Sequence, residues 1–429
     1  MPFLGVLAAV ALALASGNRS FSNRERLGLW LALGAHSVAA IAQVEIVTRV
    51  YGGGDILAYH RQGVMLADLL RTDPAETSWL MLQKLFHRES VPLPVPMGGE
   101  STGAMTAFVG FCMVPVNDSL YAGCMLFAGL AFLGKVAAYW VLKQEFAPAH
   151  WRRLRVGVLW IPSVVFWSSG MLKESLAITG ISIVLTGGFL LARKRRLASG
   201  LAWLLLGTLA TGIVKPYLLV PLAIAAAAWV YFDGARPHEE RRHRRLRLNV
   251  SLLALAMGIG CILLVGKAFP KLSPENVAVE AFRMQQLVEV TEGHSDYTIG
   301  TPAEGSLRQQ VAMMPLALAT ALFRPLPTEA NNALLAASAV ETLLTTLMLL
   351  WLVVSRNPLK TIARVIESPA LVFLLVFSLG VGLGVGMGST NLGTLSRYRM
   401  PFIPFYTAAL LVLISRKHAW IQAASSRLR

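Results

Sequence analysis

Tyr51-Gly-Gly-Gly-Asp55-Ile-Leu-Ala-Tyr59-His60-Arg61-Gln-Gly63 follows directly on a long apolar segment and marks the point where the chain leaves a membrane. The glycine run frees the backbone for a sharp turn. Asp55 then stands where a helix begins, and Ile56, Tyr59, Gly63, Leu66 and Leu70 recur at spacings of three and four, the pattern of a helix with one packed face. Two roles are open to Asp55. It is an N-cap, accepting a hydrogen bond from an amide of the first turn, or it is a functional carboxylate held at the membrane surface.

Outward from this stretch the chain is strongly apolar: 55% of its 429 residues are hydrophobic, 14% are charged, and the mean hydropathy is +0.58. Runs at 3–17, 27–50, 119–142, 155–170, 175–192, 200–214, 216–232, 249–267, 333–354, 369–388 and 399–415 are candidate spans, so the expected fold is an all-α multi-pass membrane protein with about eleven transmembrane helices. The formal net charge of +16 does not point to nucleic acid. The basic residues fall in short loops between apolar runs, where they set orientation. Placing Arg19 to Arg26, Lys143 to Arg155, Arg193 to Arg196, Arg236 to Arg247, Arg356 to Arg364 and Arg416 to Arg429 in the cytoplasm satisfies the parity of the spans, with the N-terminus outside. Met1 to Ser16 lacks a basic leader and reads as an uncleaved first span. Cys112, Cys124 and Cys261 offer neither a disulfide framework nor metal-ligand spacing.

The whole chain, 1–429, reads as one transmembrane domain with two large external loops, 51–118 and 268–332. The first carries two amphipathic juxtamembrane helices, Asp55 to Arg71 and Thr77 to His87, followed by the turn Pro92-Leu-Pro-Val-Pro96. The apolar stretch 103–116 is too short to cross easily and would upset the charge parity. It is expected to be an external hairpin or re-entrant piece covered by other protein. The second loop combines a polar part, with Glu275, Glu280, Arg283, Glu289, Glu292, His294, Asp296 and Tyr297, and a short apolar helix ending in Phe323-Arg324-Pro-Leu-Pro.

Several charged residues then fall on the external face. Lys173 and Glu174 follow Phe166-Trp167-Ser-Ser-Gly170, where a snorkelling lysine at an aromatic belt and a ligand-binding pair both fit. Lys215, in Ile-Val-Lys-Pro-Tyr217, must snorkel or find an anion. Arg397 and Arg399, in Ser396-Arg397-Tyr398-Arg399-Met-Pro401, break the inside bias; a guanidinium there suits a phosphate or pyrophosphate, or a lipid headgroup. Lys135 and Glu341 lie deep in apolar runs and need partners, and a structural buried pair is the expectation. There is no P-loop, dinucleotide fingerprint, His-Glu-x-x-His or nucleophile elbow. The chemistry these residues allow is a carboxylate base, Asp55 or Glu174, working beside the cations Lys173, Lys215, Arg324, Arg397 and Arg399 on a phosphate leaving group.

A long first external loop opening Gly-Gly-Asp55 with Tyr59-His60, two juxtamembrane helices, and a closing Arg397-Tyr-Arg399-Met-Pro-Phe-Ile-Pro404 resemble the C-type (GT-C) integral-membrane glycosyltransferases. The Phe-Trp-Ser-Ser-Gly-x-x-Lys-Glu and Phe-Arg-Pro-Leu-Pro stretches are similar to those of bacterial multi-pass proteins from surface-polysaccharide gene clusters. The resemblance implies a plasma-membrane enzyme, with its active site on the external face. It would transfer a sugar with inversion from a polyprenyl-phosphate donor to a glycan or lipid-linked acceptor. Asp55 would be the general base, Tyr59 and His60 would contact substrate, and Arg397 and Arg399 would hold phosphate. The first loop has no Asp-x-Asp pair, so a divalent metal is not favoured and no cofactor is expected. Two other functions share the composition: a repeat-unit polymerase or ligase acting on polyprenyl-pyrophosphate-linked glycans, and a lipid or polysaccharide transporter. The transporter ranks below because neither internal repeats nor broken midplane spans are evident.

Overall fold

The computed structural model describes residues 2–17, 20–88, 90–96, 98–193, 197–233, 307–389 and 391–415. Among these the regular structure is helical. Seven helical segments are long and apolar enough to cross a bilayer: Asn23–Val50, Leu120–Glu145, Lys173–Ala192, Leu197–Val214, Pro216–Asp233, Ala333–Ser355 and Pro369–Gly388. The chain is an all-α multi-pass membrane protein. The expected span at 249–267, the polar part of the second loop, Cys261 and the basic segments 236–247 and 416–429 lie outside the described residues.

Three of the expected spans take another form. The first is α1, Pro2–Gly17, only 16 residues long. The run 155–170 is divided into α7, Pro148–Leu159, and a six-residue α8, Pro162–Trp167. Pro162 explains the break, because its ring disfavours a helical Ile161 and it has no amide to donate. The last run is divided likewise, into α16, Leu392–Tyr398, and α17, Ile403–Leu413, with Pro401 between them.

The juxtamembrane helices form where the periodicity places them. The remaining elements in chain order are α2, Asn23–Glu45, ending in a π turn; α3, Asp55–Thr72; α4, Pro74–Leu85; α5, Glu100–Met113; and α6, Leu120–Glu145. Then come α9, Lys173–Ala192; α10, Leu197–Val214; α11, Leu219–Asp233; α12, Leu307–Phe323; α13, Ala333–Ser355; α14, Pro358–Glu367; and α15, Pro369–Gly388. The second juxtamembrane helix starts earlier than expected because Asp73 ends α3 and caps α4, accepting from the Glu76 amide at 3.2 Å. Ile56, Tyr59, Gly63, Leu66 and Ala67 are the buried face of α3. The short apolar stretch becomes α5, covered by α3, α4 and α10.

Contacts divide the chain into two compact units, each drawn from two segments: unit 1 is Met1–Ala138 with Val164–Pro216, and unit 2 is Tyr139–Ser163 with Tyr217–Arg429. In unit 1, α9 and α10 lie so close that a Cβ on Gly207 would stand 2.6 Å from the Val184 amide nitrogen. In unit 2, α15 is the central helix, packed by α11, α12 and α17. Gly386 permits the α12 contact, since a Cβ there would overlap the Ala317 carbonyl. Phe377 meets Phe405 edge-on at 5.4 Å in the α15–α17 core.

Candidate functional site

In unit 1 the turn before α3 puts Gly54, at φ 114°, in the N-cap position, and Asp55 becomes the first helical residue. The cap role expected of Asp55 therefore falls to a residue with no side chain. Glycine alone adopts that backbone angle without strain. Asp55 is exposed, and its charge at the first turn is favoured by the helix dipole. The next residue, Ile56, turns inward: a Cβ on Gly170 would stand 2.9 Å from its Cδ1 and 3.0 Å from Gln43 Oε1. Gln43 Nε2 donates to Phe166 O at 2.6 Å. The start of α3 is thus packed on the loop that leads to Lys173.

Tyr59 is buried, and His60 Nε2 donates to Asp118 O at 2.8 Å. The Asp118 carboxylate meets Arg71 at 2.9 Å. His60 and Arg71 thereby tie α3 to the start of α6, so these residues serve the placement of the helix.

The remaining candidates of unit 1 collect at the neighbouring helix ends. Lys173 Nζ donates to Ser101 Oγ at 3.0 Å and Thr102 Oγ1 at 2.8 Å, joining the first turns of α9 and α5. Glu174 is fully buried and accepts from Lys215 Nζ at 2.9 Å, which joins the start of α9 to the end of α10. At the end of α4, Lys84 is buried against Gly103, and His87 Nε2 donates to Ile213 O at 2.8 Å. Burial holds the His87 imidazole below its ordinary pKa, and the Lys173 and Lys84 charges act in the same direction against its hydrogen bond to Ile213. Segments that charge parity assigned to one face, 51–118, 167–175 and Lys215, meet at one end of unit 1.

Lys84, His87, Ser101 and Thr102 escaped the sequence reading. Lys84 had a signal, since Thr77, Met81, Lys84 and Leu85 follow helical spacing on the buried face of α4. The hydroxyls had none, because their role depends on α9 arriving from far along the chain.

Deeper in unit 1, Lys135 Nζ lies 2.6 Å from His36 Nε2 and 2.6 Å from Ser168 Oγ, all fully buried. His36 Nδ1 donates to Ala32 O at 2.7 Å, so Nε2 is the acceptor. Lys135, which the sequence matched with Glu341, has these hydrogen bonds inside unit 1. Glu341 has its own inside unit 2, accepting from Ser163 Oγ at 2.6 Å and Ser163 N at 3.0 Å. Intramembrane charges need partners, and neutral hydroxyls, imidazole and amides supply them here.

In unit 2, Arg399 is buried. Its Nη1 donates to Arg324 O at 2.8 Å and Thr342 Oγ1 at 2.5 Å, and Nη2 donates to Leu322 O at 3.3 Å. Arg324 itself pairs with Glu329, Nε to Oε1 at 2.8 Å. Burial would raise the Glu329 carboxyl, but hydrogen bonds from Arg324 and the Leu326 amide bring it below its ordinary value. Arg397 is half-buried in the last turn of α16. The Phe323-Arg324 and Arg397-Arg399 stretches, both assigned to the external face, are joined by Arg399.

Among the described residues no group of three His, Cys, Asp or Glu side chains is arranged to hold a metal. No protein family, curated protein or solved structure matches the chain.

Proposed function

We propose that the protein is a GT-C-like glycosyltransferase of the plasma membrane. It takes a sugar from a polyprenyl-phosphate donor to an acceptor hydroxyl on the external face, in cell-surface polysaccharide or glycoconjugate synthesis. The observation that carries this reading is in unit 1: an exposed carboxylate, Asp55, begins a juxtamembrane helix whose Ile56 packs at Gly170, in the loop leading to Lys173. In this reading an acid–base group and a phosphate-compatible cation work together at one end of the unit.

In the proposed reaction Asp55 takes the proton of the acceptor hydroxyl, whose oxygen attacks the anomeric carbon. The bond from that carbon to the phosphate oxygen breaks, its electron pair leaves with the polyprenyl phosphate, and the sugar inverts. Lys173 stabilises the leaving phosphate, and Ser101 and Thr102 hold its ammonium in place meanwhile. Glu174, enclosed with Lys215, serves as a counter-ion.

Asp55→Asn tests the reading. An amide keeps the shape and cannot take the proton, so sugar transfer should fall by about a hundredfold or more. Thermal stability in detergent should change by less than about 1 kcal/mol, the scale of a first-turn charge on a helix dipole. Native transfer rates in both Asp55→Asn and Asp55→Ala would end the assignment.

A further inference from the structure

A second polar site lies in unit 2, among segments that charge parity places on the opposite face from Asp55. A cavity of about 430 Å³ is lined by Arg153 from α7, Trp351, Ser355 and Arg356 at the end of α13, and Ile414 and Ser415 after α17. Arg153 and Arg356, from two separate basic segments of the sequence, thereby meet around one space. No carboxylate is among the lining residues described.

The Arg356 guanidinium is held open toward an acceptor. Nη2 donates to Ile414 O at 3.1 Å, and the group sits 5.6 Å from the centre of the Trp351 ring. Its Nε is buried and has no hydrogen-bond partner among the described residues. A buried donor left in this way is unfavourable until an acceptor arrives. Arg153 uses Nη1 on Ala149 O at 3.1 Å and remains exposed at the cavity.

The surroundings say where such an acceptor comes from. Both α13 and α15 are long and apolar enough to span, so residues 356–368 between them sit at a membrane boundary. That connection contains α14, whose Leu359, Ile362 and Ile366 share one face at spacings of three and four and are 76%, 55% and 46% exposed. Lys360 and Arg364 lie on the opposite, polar face of the helix. Leu347, Leu350 and Val354 on α13 are also exposed and apolar. A short helix of this kind at this place lies in the plane of the interface, with cations toward the headgroups.

We propose that the cavity binds the phosphate of an anionic phospholipid from the leaflet on which α14 lies. Arg356 supplies a preoriented planar fork, Arg153 supplies a second one, and Ser355 supplies a hydroxyl to the headgroup. The acyl chains run along the apolar flank of α13 beside α14.

Native mass spectrometry of the full chain in detergent, titrated with dioleoyl phosphatidylglycerol or dioleoyl phosphatidylcholine, tests the site. Phosphatidylglycerol should bind more tightly. Arg153→Gln with Arg356→Gln should weaken it about tenfold or more, the equivalent of one charged hydrogen bond, and leave phosphatidylcholine unchanged. Should the double variant fail to fold, Arg153→Gln alone, at the exposed side, should still lower phosphatidylglycerol affinity several-fold. Native affinity in the folded Gln variants would overturn the proposal. Displacement of phosphatidylglycerol by millimolar inorganic phosphate would overturn it too, showing a site for free phosphate.

Discussion

In unit 1 two cations at helix ends meet side-chain oxygens, a carboxylate for Lys215 and two hydroxyls for Lys173. In unit 2 the Arg399 guanidinium meets two main-chain carbonyls and one threonine. The difference is between cations held by side-chain oxygens and one held mainly by the main chain. Withdrawing Arg399 would leave two main-chain carbonyls and a threonine without this donor. The serine and threonine hydroxyls carry no charge, so they position the Lys173 ammonium without neutralising it. Arg397 and Arg399 looked alike in the sequence; Arg399 is buried among carbonyls of the Leu322–Arg324 stretch, and Arg397 is half-buried in the last turn of α16.

The largest effect should come from the Lys215–Glu174 pair. Glu174→Gln leaves the Lys215 ammonium buried without its counter-charge, and loss of about 3–5 kcal/mol is expected in thermal unfolding of the detergent-solubilised chain. Adding Lys215→Met to the same chain should recover most of that loss, since the pair is then replaced by apolar volume. If Glu174→Gln keeps native stability and abolishes transfer, Glu174 rejoins the bases and the contrast between the units fails.

Arg399→Lys should come next. Lysine keeps the charge but cannot satisfy three acceptors from one plane, and the Arg324 and Leu322 carbonyls and Thr342 would compete for one ammonium. A loss of about 1–3 kcal/mol follows from the acceptors left unmet, with transfer per folded molecule unchanged. A stable Arg399→Lys chain with slow transfer would instead place this guanidinium on the donor phosphate.

The smallest effect is a pH dependence at the other end of unit 2. His150 is buried and lies 3.2 Å from Ser415 Oγ, and burial, helped by the Arg153 charge, lowers its pKa to about 4 from an ordinary 6.5. The unfolded chain takes up this proton first, so the stability due to neutral His150 is complete above pH 6.5 and declines as pH falls toward 4. His87 acts in the same sense in unit 1. His150→Gln and His87→Gln, compared by melting temperature between neutral and mildly acidic pH, should each flatten the acid limb in part. A limb unchanged in both variants would assign it to carboxylates.

What the sequence determined by itself is what depends on neighbours along the chain. Apolar length gave the membrane class, period-three-and-four spacing gave α3 and its buried face, and the glycine run before Asp55 marked the turn. Charge parity sorted the loops; of the residues in the loops it grouped, Lys173, Lys215 and His87 lie at neighbouring helix ends in unit 1, and Arg153 and Arg356 line one cavity in unit 2. Hydropathy counts residues without testing backbone continuity, so it passed over the breaks at Pro162 and Pro401. Tertiary structure alone decided the partners. Glu174 is paired with a lysine 41 residues away, Lys173 with hydroxyls more than 70 residues away, and Lys135 with His36 99 residues away. A buried charge must be satisfied by whichever polar atom packing brings within about 3 Å. That distance is set by helix crossings such as the one at Gly207, and a one-dimensional pattern does not contain them.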